Sequence, residues 1–339
     1  MKVITFGELM LRFAPEGFKR FVQSDKFCVT FGGAEANVSV ALSNWGIDSA
    51  FVSKMPAHEI GQLAVDSLRR YGVDTSKIVR GGYRIGTYYC EKGASQRTSK
   101  VIYDRANSAF ALSEFEEYDF DSVLQPGNIL HLSGITPALG ESMRAITMRV
   151  LKMAKERGVK VSFDLNYRSK LWTEAEAGLV IKEILPYVDY FIANENQIDK
   201  ILGINAPHIK VENDEYSPET NIYMAEKLRE LYGFEYIAIT ARRTVSSDEN
   251  YFRGMLSTKD GNYFSKNYLI RIVDRVGAGD SFDSGLLYGI ISGFDNQKAL
   301  DFAVASSVLK HSIEGDYNVL SVSEICQLID GDGTGRVQR

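Results

Sequence analysis

Short apolar runs alternate with longer stretches of helical period along most of the chain. Residues 3–6, 49–53, 129–132, 159–163, 188–192 and 236–239 have the length and composition of buried strands. Between them lie helical stretches at about 60–71, 141–157, 174–185 and 218–232. Another helix opens at Gly32-Gly33 and places Ala34, Val38, Ala41, Leu42 and Trp45 on one stripe, with Asn37 off it. Apolar strands separated by amphipathic helices predict a parallel sheet covered on both faces, whose ligands sit at the carboxyl ends of its strands. The rhythm breaks at 10–31 and 81–105, where strand-like runs with aromatic and basic residues predict a small separate sheet. Helices near 296–312 and 321–330 close the chain, and the glycine-rich 331–339 reads as a disordered tail. The expected organisation is one α/β domain over 1–330, carrying a β lid in two pieces, about 10–31 and 81–105.

The polar residues past the predicted strand ends fall on one sheet edge: Ser133-Gly134, 164–168, Asn194-Glu195, 240–242 and Asp274. The most informative stretch is Asp274-Arg275-Val276-Gly277-Ala278-Gly279-Asp280-Ser281-Phe282. It follows the strand-like run 269–273 and enters a small-residue apolar helix. Glycines at such a junction let backbone approach a ligand, and the first helical turn presents unpaired N–H groups suited to phosphate oxygens. An acid inside an anion site has a use there as a general base, taking the proton of an attacking hydroxyl. The competing reading is a tight turn with Asp280 as a helix cap. No G-x-x-x-x-G-K-[ST] occurs, and Phe282 stands where a dinucleotide fingerprint needs glycine. A serine-nucleophile elbow lacks its G-x-S-x-G frame.

Composition narrows the classes further. A 339-residue chain that is 45% hydrophobic and 24% charged can bury a large core. Its net charge of -5, with mixed signs, argues against nucleic-acid partners. No apolar run reaches membrane-spanning length, and the chain begins directly on a strand pattern, so a cytoplasmic protein without membrane contact is expected. Cys28, Cys90 and Cys326 are too scattered for a disulfide framework or a zinc site. His58, His131, His208 and His311 share no metal-like spacing and are assigned no chemistry.

The turn at 274–282 resembles the second signature of the ribokinase-like sugar kinases, the PfkB family, in which the Gly-Ala-Gly-Asp core carries the catalytic base. Gly32-Gly33-Ala34-Glu35-Ala36-Asn37 resembles the first, whose glycines and asparagine line the sugar pocket. The resemblance implies a ribokinase-like three-layer αβα fold with a mostly parallel sheet and a β lid that often forms a homodimer surface. It implies ATP and Mg²⁺ as cofactors and admits a monovalent cation. Two stretches depart from the family pattern. Asn194-Glu195-Asn196-Gln197 has glutamine where N-x-x-E has its acid, so Asn194 stands as a nucleotide candidate and Glu195 as the candidate near the metal, with a plain helix start as the alternative for both. Thr240-Ala241-Arg242-Arg243 replaces a glycine-rich adenosine loop, leaving Thr240 and Arg242 as nucleotide candidates, with Arg242 either a phosphate donor or a solvated surface residue.

Over residues 1 to about 325 the chain is most similar to the 2-keto-3-deoxygluconate kinase subgroup. The similarity is concentrated at 131–137, 164–168 with Leu171-Trp172, 101–105 and 272–276, and within the subgroup Arg275 is no departure. It implies that Gly33, Asn37, Tyr88, Tyr103, Arg105 and Arg168 surround a keto-deoxy sugar acid. ATP contacts are implied at Asn166, Arg168 and the 277–280 turn. Arginines are the natural bidentate partners of a sugar-acid carboxylate. The expected activity is ATP-dependent phosphorylation of 2-keto-3-deoxygluconate to its 6-phosphate. In it Asp280 acts as base, and Gly277, Ala278 and Gly279 form the anion hole. A kinase for a neutral ketohexose or a nucleoside is the alternative within the class, and a silent sugar-binding regulator is the alternative outside it.

Overall fold

The structure is a computed structural model that describes residues 1–206 and 217–331. The predicted tail beyond 331 and His208 lie outside the described residues. Fourteen strands follow in chain order among these residues. They are β1 (Val3–Phe6), β2 (Met10–Pro15), β3 (Phe27–Gly32), β4 (Ser49–Met55), β5 (Ile78–Arg80), β6 (Thr87–Glu91) and β7 (Lys100–Asp104), then β8 (Ile129–Ser133), β9 (Lys160–Asp164), β10 (Tyr190–Asn194), β11 (Tyr236–Thr244), β12 (Glu249–Thr258), β13 (Gly261–Phe264) and β14 (Tyr268–Arg271).

Ten of them form one sheet in the order β13-β12-β11-β10-β9-β8-β1-β4-β5, with β14 paired to β12. Every pairing from β11 to β5 is parallel, as the alternating rhythm predicts. The strands are apolar on both faces because helices cover both. Helices Glu141–Glu156, Glu174–Ile184 and Pro218–Tyr232 pack one side with Met143, Val150, Ile181 and Leu228. Helices Ala34–Asn44, Ala278–Ile291 and Asn296–Lys310 pack the other through Val38, Leu42, Leu286, Phe302 and Val304. Cys28, Cys90 and Cys326 are all unpaired.

The sequence reading missed one feature of this sheet. The strand expected at 236–239 runs on to Thr244 and turns back as β12, so β11, β12, β13 and β14 make an antiparallel edge. Residues 240–243 are therefore strand, where residues just past a strand end were expected. The signal was there: β12 buries alternate residues at its start, with Asn250, Phe252 and Gly254 inward.

The two segments that break the rhythm do form one small sheet, in the order β3-β2-β6-β7. Its outer pairs are antiparallel, while β2 and β6 run parallel, which a lid made of two separate chain segments allows. Buried charge ties this sheet to the rest. Arg12 on β2 is 1% exposed and donates to Asp274 Oδ2 (2.6 Å) and Asp316 Oδ1 (2.7 Å). Tyr88 on β6 donates a short hydrogen bond to Asp316 as well.

Candidate active site

A cleft of about 580 Å³ opens along the carboxyl ends of the parallel strands, between the sheet edge and the lid. Every residue singled out above as a candidate lines it, from Gly33 and Asn37 through Asn166, Arg168 and Asn194 to the turn at Gly277 and Asp280. The lid contributes Tyr88, Tyr103 and Arg105, and the opposite end is walled by Glu195, Thr240 and Arg242.

Residues 275–280 of the turn line the same cleft. Gly277 is the N-cap of helix Ala278–Ile291 at φ 82°, a left-handed conformation that disfavours side chains. A Cβ there would also lie 2.0 Å from the carbonyl oxygen of Asp316, so only glycine fits. Asp274 Oδ1 accepts from the Val276 N–H (3.2 Å), and Ser281 donates back to the Gly277 carbonyl (2.8 Å). The result is a braced helix start that lines the cleft, with the Ala278 N–H turned back to the Arg275 carbonyl (3.4 Å).

Asp280 lies in that first turn and is 8% exposed. Asn37 Nδ2 donates to its Oδ2 (2.6 Å), while the Asn37 carbonyl oxygen accepts from Gly33 N–H (3.3 Å), which fixes the amide's orientation. The two signature motifs, 243 residues apart, thus meet at one carboxylate. Burial pushes Asp280 up to about 6, against the pull of Asn37 and Arg168 and with added repulsion from Glu35 and Asp316. A carboxylate that gives up its proton near neutrality is suited to act as a base. The cap reading is not met, because Gly277 is the N-cap and the Asp280 side chain turns to Asn37.

Behind Asp280 stands a carboxylate group that sequence reasoning did not assemble. Asp164 at the end of β9 and Asp283 one turn past Asp280 each bring an oxygen within 4.8 Å of Asp280 and of one another. Burial raises both, with repulsion from Asp280 adding to it at Asp164 and repulsion from Asp164 and Asp280 adding to it at Asp283. His131 Nε2 is 3.9 Å from Asp283, but burial drops its pKa to about 3, so it is neutral, in keeping with a satisfied core histidine. Glu35 is fully enclosed too, and accepts from Ser133 N–H (3.0 Å), Ser133 Oγ (2.7 Å) and Thr136 Oγ1 (3.2 Å).

Three candidates line the cleft with part of their side chain engaged elsewhere or apart from the aspartates. Arg105 faces the cleft, yet its Nε and Nη2 both donate to Glu8 Oε2 (2.8 and 2.5 Å), so part of its fork is already used. Ser108 completes that group by donating to Glu8 Oε1. Asn194 accepts from the Gln197 N–H (3.0 Å), so its side chain starts the next helical turn. Glu195 lies on the wall near Arg253, apart from the three-aspartate group. Arg168, in contrast, is exposed at the cleft and holds no ion pair among the described residues. Asn166 beside it takes a left-handed φ of 41°, which asparagine tolerates, with its N–H donating to Asp164 (3.2 Å).

Residues 1–321 match the family described as pfkB family carbohydrate kinase. The crystal structure of 2-dehydro-3-deoxygluconokinase from Thermotoga maritima superposes with a TM-score of 0.93 at 47% identity, covering 98% of both chains. Among curated relatives, 2-dehydro-3-deoxygalactonokinase of Haloferax volcanii is 31% identical over 98% of both chains. The 2-dehydro-3-deoxygluconokinase of Bacillus subtilis is 27% identical over 96% of this chain and 94% of its own. The α/β body with its β lid is the ribokinase-like fold. The chain belongs to the pfkB family of carbohydrate kinases.

Proposed function

We propose that this kinase transfers the γ-phosphoryl group of ATP to the 6-hydroxyl of 2-keto-3-deoxygluconate. The observation that carries the mechanism is the buried Asp280, held by Asn37 at the start of the anion-binding helix. The acceptor hydroxyl hydrogen-bonds to Asp280, which takes its proton as the new O–P bond forms and the bond to the leaving ADP breaks. The N–H groups of Gly277, Ala278 and Gly279 stabilise charge on the transferring oxygens. The hard oxygen donors of Asp164, backed by Asp283, fit Mg²⁺, which favours one or two carboxylates with phosphate oxygens and water. When bound, Mg²⁺ supplies countercharge to the phosphates. We assign Asn166, Thr240 and Arg242, which line the same cleft, to the nucleotide.

Arg168 supplies the free guanidinium that a sugar carboxylate requires, with Arg105 behind it, and the names of the relatives point to keto-deoxy sugar acids. A neutral ketose is the second reading, favoured by the prior commitment of Arg105 to Glu8. We also place a second copy of the chain on the outer lid face, where Phe27, Val29 and Ile102 are exposed; the solution mass checks this. ATP consumption across 2-keto-3-deoxygluconate, its C4 epimer, fructose and a nucleoside tests the substrate. Fastest turnover on a keto-deoxy acid is expected, and preference for fructose would overturn the assignment.

A further inference from the structure

Behind the anion-binding turn lies a buried ammonium that the reaction chemistry does not use. Lys310 ends helix Asn296–Lys310 and is 0% exposed. Its Nζ donates to the carbonyl oxygens of Gly315 (2.6 Å) and Ile313 (3.1 Å), and lies 3.5 Å from that of Asp274. Three acceptors match the three donors of a charged ammonium, which a neutral amine could not satisfy. The setting is also balanced in charge, because Arg12 and Lys310 stand among the carboxylates of Asp274 and Asp316. Burial lowers the Lys310 pKa, and those two carboxylates counter it.

The carbonyls that Lys310 gathers belong to the segments that shape the turn. Asp274 begins it, and Gly315 N–H donates to Asp274 Oδ2 (3.2 Å). The next carbonyl along, that of Asp316, is the atom against which Gly277 is packed. Val273 and Asp274 both donate to the carbonyl of His311, the residue following Lys310. A cage of backbone carbonyls around one positive centre is also what an alkali-metal ion takes. We infer that Lys310 is a built-in cation: its ammonium clamps the 313–316 loop and Asp274 behind the anion-binding turn, so turnover depends on this side chain and not on an added monovalent ion. Lys310 touches no substrate, so it is a positioning residue. The inference rests on the kinase reading of the turn, though not on which sugar is used.

The test compares wild type, Lys310→Met and Lys310→Ala in potassium, ammonium and tetramethylammonium chloride at equal ionic strength. Wild-type kcat and melting temperature should be the same in all three salts, within about twofold for kcat. Lys310→Met should lose about tenfold or more in kcat, with a smaller change in the KM for sugar, and no salt should restore it. Lys310→Ala leaves the carbonyl cage open, so potassium or ammonium should recover several-fold of its lost kcat and tetramethylammonium none. Wild-type activation by potassium, wild-type kcat in Lys310→Met, or a Lys310→Ala defect that no small cation relieves would each overturn the inference. If the variants do not fold, the salt series on wild type still decides it, because a preformed alkali site would raise melting temperature in potassium or ammonium and not in tetramethylammonium. Failure of the kinase reading would show separately, as absence of turnover in wild type on every acceptor.

Discussion

As the proposed base, Asp280 has to lose its proton while buried, and on that reading this conflict sets the pH dependence of turnover. Its raised pKa means that the base form is lost as pH falls through about 6, so kcat/KM should climb through that region and level off above it. Asp280→Asn keeps the hydrogen bond to Asn37 within reach but cannot take a proton, so turnover should fall by about 10² to 10⁴ while nucleotide affinity holds. Wild-type-like rates in that variant, or a flat profile between pH 5 and 8, would leave Asp280 as a structural partner of Asn37 only. The two arginines divide differently from what their sequence positions suggest. Arg168→Ala should raise KM for a keto-deoxy acid by roughly tenfold without lowering the melting temperature, since one charged contact is lost at an exposed residue. Arg105→Ala strands the buried Glu8, so it should cost on the order of 3 kcal/mol of stability as well. Equal effects of the two variants on stability would contradict the Glu8 pairing. Sequence alone identified both arginines as lining residues. It could not show that Glu8, 97 residues away, had claimed one of them.

At the scale of elements, the apolar rhythm marked the parallel strands because burial on both faces leaves a continuous run of Val, Ile and Phe. The lid and the antiparallel edge were harder to read, since a strand with one wet face can be mistaken for loop when its alternation is short. The lid's two halves were recognised, but their connection to the body was not. Arg12 sits in an ordinary alternating strand, and its partners Asp274 and Asp316 lie more than 260 residues away. That connection has a consequence for motion. Arg12, Tyr88 and Asp316 anchor the inner edge of the lid, while β7 and the outer half of β3 are exposed. Hydrogen exchange should therefore be slow in β2 in the free enzyme and fast in β7, with β7 gaining protection when the sugar binds. Exchange in β7 that ignores the sugar would argue against a closing lid.

For the whole molecule, the same carboxylates that equip the site also weigh on its stability. Asp164, Asp280 and Asp283 all hold their protons more tightly when folded than an exposed aspartate does, and burial is the main cause for each. The folded state then binds more protons than the unfolded one above pH 4, so these groups make stability fall as pH rises toward neutrality. Each such proton is worth roughly 1.4 kcal/mol per pH unit over the window between its unfolded and folded pKa values. Asp74 works in the opposite sense: held near 2 with the help of Lys2, it contributes stability above pH 4 that is lost below it. The free protein should therefore melt highest near pH 5 and at a lower temperature at pH 8. A Mg²⁺ ion held beside the ionised cluster would offset its charge, so stabilisation by Mg·ATP should be larger at pH 8 than at pH 5. Melting curves at both pH values, with and without Mg·ATP, measure the difference, and Asp283→Asn should flatten the pH dependence by removing one of the three charges. Equal stabilisation at both pH values, or a melting temperature that rises from pH 5 to 8, would mean that the buried aspartates are not strained when ionised, and Asp280 would then lose the physical basis for a pKa near neutrality.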